Sequence, residues 1–130
     1  MINSHLEIDV SALRHNVDVL RGASGRAGQL LCAMVKGNAY GHGLLVASQA
    51  FVHAGVDWLG IGELDEARQL REAGIHTPTY CVCPVFAGQA EDVVALDVRV
   101  NVVDQELVAA LDRAALAVGK TARVHIKVET

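Results

Sequence analysis

Five apolar runs organise this chain, and a segment of helical period follows each of the first four. Leu30–Val35 precedes a helical pattern over Leu44–Ala54, Trp58–Ile61 precedes Leu64–Ala73, and Thr79–Cys83 precedes Gly88–Leu96. Val98–Val103 then leads to Gln105–Val118, and the run Ala122–Val128 comes last. Strands alternating with helices in this way predict right-handed βαβ units around a parallel sheet. The punctuation agrees, because Gly55, Gly74 and Gly119 each stand where a helix C-terminus wants a left-handed residue before the next strand. Glu63, Asp65 and Glu66 crowd one helix start while Arg68 and Arg71 come later, as the helix dipole favours. Asp104 is placed to cap the last helix.

Ahead of this array, Leu6–Asp9 reads as a short strand, and Asp9 or Ser11 can cap the helix that follows. Val10, Leu13, Val17 and Leu20 recur at three- and four-residue steps, the stripe of an amphipathic helix. The stretch Gly22–Gly28, rich in glycine, serine and alanine, is the expected linker. Residues 1–28 are therefore expected to form a leading strand, helix and linker, and residues 29–130 the N-terminal part of a barrel. The fold class expected is α/β, a partial (β/α)8 TIM-type barrel with about five βα units, truncated before completion, since closure needs eight strands and about 250 residues.

Strand parity separates two faces. In the last run Val124, Ile126 and Val128 share one side, which helices should cover, and His125, Lys127 and Glu129 share the other. The same parity groups Cys32, Met34 and Lys36 in the first run and directs Lys36 and Lys127 toward one interior. Active groups of such folds sit where strands end and loops begin, so a lysine closing an apolar run is placed for chemistry.

Composition narrows the classes of function. With 52% hydrophobic residues, mean hydropathy +0.29 and two prolines, the chain is built to bury a core. A net charge of −4 and a pI near 5.8 leave no electrostatic footprint for nucleic acid or an anionic membrane. The N-terminus lacks a basic segment leading into an apolar one, and no stretch is long enough to span a bilayer, so a cytoplasmic protein is expected. The three cysteines, Cys32, Cys81 and Cys83, fall in apolar runs and read as buried reduced thiols, and the six histidines show no paired metal spacing. No metal site is expected.

The segment Val35-Lys36-Gly37-Asn38-Ala39-Tyr40-Gly41-His42-Gly43 resembles the signature of alanine racemases and their amino-acid racemase relatives. The family usually has alanine where this chain has Gly37, a change that bears on loop stiffness and leaves the lysine untouched. The string Glu63–Gly74 resembles the equivalent helix of that family, and Lys127-Val128-Glu129-Thr130 resembles a family Lys-Val-Asp-Thr string, with glutamate where the family has aspartate. The resemblance implies a fold-type III enzyme that binds pyridoxal 5′-phosphate (PLP) as an imine and interconverts L- and D-alanine by proton transfer on both faces of Cα. By resemblance, Lys36 carries the cofactor and then serves as one base, and Tyr40 contacts the phosphate. Lys127 matches a family lysine that is often carbamylated, while Asn38, Gly41 and Gly43 shape the loop. The resemblance also implies a small amino-acid substrate, a homodimer for the full-length protein, and a second base, a tyrosine, from the partner subunit. The 130 residues alone are then expected to be inactive. A non-catalytic PLP-binding single-barrel protein, or an inactive half-barrel, is the alternative, although such carriers lack the Asn-Ala-Tyr-Gly-His-Gly string.

Overall fold

The computed structural model describes residues 5–24, 28–128 and 130. Its centre is one parallel sheet of five strands in the order β1-β2-β3-β4-β5, with β1 at Cys32–Met34, β2 at Trp58–Ile61, β3 at Thr79–Cys81, β4 at Val98–Val102 and β5 at Val124–Ile126. All four pairings are parallel and follow chain order. Helices α1 (Val10–Ser24), α3 (Leu44–His53), α4 (Leu64–Glu72), α5 (Ala90–Ala95) and α6 (Gln105–Ala117) alternate with the strands, and α2 (Lys36–Tyr40) is a single unusual turn after β1. A five-stranded parallel array with alternating helices is the expected partial α/β barrel.

Parity sorts the side chains as the sequence suggests. Val35, Leu59, Ile61, Thr79, Cys81, Val98, Val100 and Val102 lie on the helix-covered face and are all buried. Leu70, Leu107 and Leu111 meet them from the helices. Burying each such leucine contributes roughly 2 kcal/mol, so the core lies between sheet and helices. The opposite face carries Cys32, Met34, Trp58, Gly60, Tyr80, Arg99, Asn101 and His125, which the register sets side by side. There the Arg99 guanidinium carbon stands 3.7 Å from the Trp58 ring centre, and the His125 ring lies 4.7 Å from that of Tyr80. The Tyr80 hydroxyl donates to Asn101 Oδ1 at 2.8 Å, which satisfies a polar pair on the inner face.

Several boundaries differ from the sequence reading. Leu6–Asp9 is not a strand: Leu6 is exposed, and the extended backbone at Asp9 serves to cap α1, its Oδ1 accepting the N–H groups of Ser11 at 2.8 Å and Ala12 at 3.1 Å. Helix α1 runs through Gly22 to Ser24, so the expected linker begins later, and its residues 25–27 lie outside the described residues. The segment expected as one helix over Gly88–Leu96 is a 3₁₀ turn at Ala87–Gln89 leading into the short α5. Cys32 is exposed, because it lies on the inner face of an open array; Cys81 is buried, and burial pushes its thiol up to about 11. The apolar side of β5 is exposed, Ile126 at 81%, and among the described residues no helix follows to cover it. Gly55, Gly74 and Gly119 do adopt positive φ, and Asp104 Oδ1 caps α6 by accepting Leu107 N–H at 2.8 Å. Among the described residues no helix is long and apolar enough to cross a membrane.

Helix α1 is fastened to the array at its far end. Arg21 Nη2 reaches Asp57 Oδ2 at 2.7 Å and also donates to the Gly55 carbonyl, while Asp57 Oδ2 accepts Leu31 N–H at 2.7 Å. The Leu31 amide first, then the Arg21 guanidinium, hold the Asp57 carboxyl below the usual carboxylate range. A depressed folded value means that this stabilisation is present above the ordinary aspartate value of about 3.9 and lost as pH falls through the folded one. Asp57→Asn should therefore lower the urea midpoint at neutral pH, and the gap from the parent should close as pH falls below the ordinary aspartate value of about 3.9. A gap that stays constant across that range would show that the carboxylate contributes nothing through its charge.

Candidate active site

The C-terminal ends of β1 and β2 meet at Lys36. Val35 N–H donates to the Gly60 carbonyl at 2.7 Å and anchors the backbone just before it. Lys36 itself is half-buried, and among the described residues its amine has neither a hydrogen-bond nor a carboxylate partner. Beneath it lies Gly62: a β-carbon built there would sit 3.4 Å from Lys36 Cβ, 3.7 Å from Cys83 Sγ and 3.7 Å from Glu66 Oε2. With no side chain at Gly62, the lysine stem, Cys83 Sγ and Glu66 Oε2 surround one point on the inner face of the sheet.

The chain after Lys36 is left-handed. Gly37, Asn38, Ala39 and Tyr40 have φ of 60°, 55°, 52° and 54° in succession. For residues with a β-carbon this costs about 1–2 kcal/mol each, somewhat less for asparagine, so the turn must be held by its surroundings. At Gly37 the absent β-carbon removes that cost, which gives the departure from the family alanine a conformational consequence. Asn38 does most of the holding. Its carbonyl accepts the N–H groups of Gly41 at 3.1 Å and Gly43 at 3.0 Å, and its Oδ1 accepts Leu44 N–H at 2.8 Å at the start of α3. Its own N–H donates to Glu66 Oε1 at 3.2 Å. Ala39 is buried beneath the turn, whereas Tyr40 is 64% exposed, with its phenol on the outside of the loop.

Lys127 follows β5 on the parity of His125, whose ring contacts that of Tyr80 at a tilt on the inner face, and it lies toward the C-terminal end of the strands, the end that Lys36 occupies. It is exposed, and Glu129 lies outside the described residues. Among the described residues no group of three or more His, Cys, Asp or Glu is arranged to hold a metal ion. The residue that sequence reasoning missed is Glu66. Its placement three residues after Glu63 signals a helix start, but nothing local announces that it also reaches back to Asn38.

A parallel βα array with a lysine at the C-terminal end of its first strand, followed by a strained loop and set against a glycine, defines a partial barrel of the α/β class. The comparisons make this specific: residues 8–130 match the family described as "Alanine racemase, N-terminal domain", and the chain belongs to that family. It is similar to the alanine racemase of Symbiobacterium thermophilum, 42% identical over 124 residues, covering 95% of this chain and 32% of that protein. The alanine racemase of Methylacidiphilum infernorum is 40% identical over 127 residues, covering 98% and 33%. Among solved structures, alanine racemase from Streptomyces lavendulae, a D-cycloserine producer, superposes with a TM-score of 0.82 at 38% identity, over 90% of this chain and 30% of that one. The Clostridium difficile 630 enzyme in complex with cycloserine gives 0.87 at 25% identity, over 93% and 32%. The chain thus spans about a third of the length of these relatives.

Proposed function

We propose that the protein carrying this chain is a PLP-dependent amino-acid racemase acting on alanine, and that Lys36 holds the cofactor. The observation that carries this reading is the unpaired Lys36 amine at the C-terminal end of β1, its stem against Gly62 and the strained left-handed turn directly after it. The donor set suits the group. A primary amine can take the aldehyde, the exposed Tyr40 hydroxyl can donate to a phosphate oxygen, and glycine at position 62 sets no side chain against the lysine stem.

When bound, PLP supplies an electron sink for the pair released as the Cα–H bond breaks. The rest falls to protein groups. Lys36 would remove or return the proton on one face of Cα. Asn38 and Glu66 keep the lysine where that transfer is short. The opposite face needs its own base, and a tyrosine of the partner subunit in a homodimer fills that role in this proposal. Lys127, carbamylated, would present an anion to the same cavity.

Borohydride reduction of the full-length protein with PLP, followed by peptide mapping, tests the assignment. The pyridoxyl label is expected on Lys36. A label on Lys127 or Lys120, or none at all, would refute it. A labelled Lys36 in a full-length protein that exchanges no α-proton of L-alanine would instead point to a non-catalytic PLP carrier.

A further inference from the structure

We infer that Glu66 is a positioning residue for Lys36, acting through Asn38, and not only the cap of its own helix; the inference rests on the reading that Lys36 is the point of cofactor attachment. The two carboxylate oxygens of Glu66 are divided between two loops. Oε2 accepts the N–H groups of Gly62 at 2.8 Å and Glu63 at 3.3 Å, which is the service a helix start requires. Oε1 accepts the N–H of Asn38 at 3.2 Å, a group that belongs to the loop after β1 and that no helix cap would need. One side chain thereby ties together the loops that follow two neighbouring strands.

What it ties is the turn that sets Lys36. Within the left-handed stretch, Ala39 N–H finds the Val35 carbonyl at 2.8 Å and the Gly41 and Gly43 amides find Asn38, but the Asn38 N–H has its partner in Glu66. Asn38 in turn holds the first amide of α3 with its side chain. Glu66 Oε2 also lies near the space above Gly62, where Lys36 Cβ is the closest neighbour. A shift of this carboxylate is therefore felt at Asn38, two residues from Lys36, on one side and at Gly62, against which the Lys36 stem lies, on the other.

Glutamine at this position keeps the shape and removes one acceptor. Glu66→Gln can serve the Gly62 and Glu63 amides or the Asn38 amide, but not both, because its NH2 group meets N–H donors on whichever side it faces. The pair holds more strongly than the single bond, so the Asn38 contact is the one expected to go.

The test compares full-length wild type, Glu66→Gln and Glu66→Asp by amide hydrogen exchange without added PLP, and by the circular dichroism of PLP per mole bound at saturation. In Glu66→Gln, exchange across Asn38–Tyr40 should quicken about tenfold or more, the worth of a hydrogen bond to a charged group, while Ala67–Leu70 in α4 stays near the parent rate. The dichroism per bound PLP should fall, and Glu66→Asp, whose shorter side chain keeps Gly62 in reach more readily than Asn38, should show both changes. Unchanged exchange at Asn38–Tyr40 would overturn the inference, and so would equal acceleration of α4, which marks a cap and nothing more. Should Glu66→Gln fail to fold, Glu66→Asp carries the same comparison, its shorter reach releasing Asn38 before Gly62. Wild type that binds no PLP at Lys36 would defeat the functional reading instead, and the clamp would then stand or fall on the exchange data alone.

Discussion

Replacing Lys36 by alanine is expected to lower racemisation of L-alanine by the full-length protein by about 10³-fold or more while leaving its stability nearly unchanged. The two halves of this expectation come from different observations. Lys36 is asked to attach the cofactor and to move the Cα proton, and general acid–base assistance alone is worth about 10²–10⁴-fold. Yet its amine makes no hydrogen bond or ion pair among the described residues, and the left-handed turn is held by Val35, Asn38 and Glu66 without it. Substitution away from packed or bonded features moves stability by roughly 0.5 kcal/mol at most. A small primary amine added to the Lys36→Ala protein should recover part of the α-proton exchange, because the truncated stem opens space above Gly62. Racemisation within tenfold of the parent, or a variant that melts early and loses activity only for that reason, would remove Lys36 from the chemistry.

Much of this arrangement was legible from period and punctuation alone. The alternation of runs and helical patterns located all five strands, and parity assigned Cys32, Met34 and Lys36 to the inner face because a strand has only two faces to choose between. The helix-ending glycines at Gly55, Gly74 and Gly119 were equally plain, since few other residues accept positive φ. Errors arose where one-dimensional pattern meets three-dimensional demand. Leu6–Asp9 has strand composition but pairs with no strand among the described residues, and Asp9 caps α1 instead. Gly22 opens a glycine-, serine- and alanine-rich stretch that reads as linker, but α1 carries through it to Ser24, with Arg21 tied to Asp57. The handedness of the lysine turn was hidden because Ala39 and Tyr40 rarely adopt it, and only the distant contact to Glu66 and the reach of Asn38 to Leu44 make it tenable. Contacts across 28 residues, as between Asn38 and Glu66, leave no mark on local periodicity.

Arg71 is the clearest case of a residue whose sequence signal understates its work, and Arg71→Met is expected to destabilise the protein by about 3 kcal/mol, a loss typical of a broken, partly buried hydrogen-bond network. In the sequence it reads as a cation near the end of α4, favoured by the helix dipole. In the structure all its donors are used. Nε donates to the Leu96 carbonyl at 3.0 Å, Nη1 to those of Ile75 at 2.9 Å and Thr77 at 3.5 Å, and Nη2 to Thr79 Oγ1 at 3.2 Å and the Asp97 carbonyl at 3.5 Å. One guanidinium thereby joins the end of α4, the approach to β3 and the link between α5 and β4. That link includes Asp97, held at a φ of 50° without the freedom of glycine. Burial draws the guanidinium below the ordinary arginine value, a cost that Asp97 partly offsets, and the fixed fork of donors is what makes the arrangement favourable. Methionine fills similar volume but leaves several carbonyls without a donor, and lysine offers one point charge where five directions are needed, so Arg71→Lys should still cost about 2 kcal/mol. Thermal melts should fall on the order of 10 °C for the methionine variant. This staple sits at the N-terminal end of β3 and β4, whereas Lys36 lies at the C-terminal end of β1, so the residual folded protein should bind PLP at Lys36 as the parent does. A stability loss below about 0.5 kcal/mol would show that solvent replaces the guanidinium without penalty. A selective loss of PLP binding at unchanged stability would mean that the two ends of the strands are coupled in a way that these contacts do not describe.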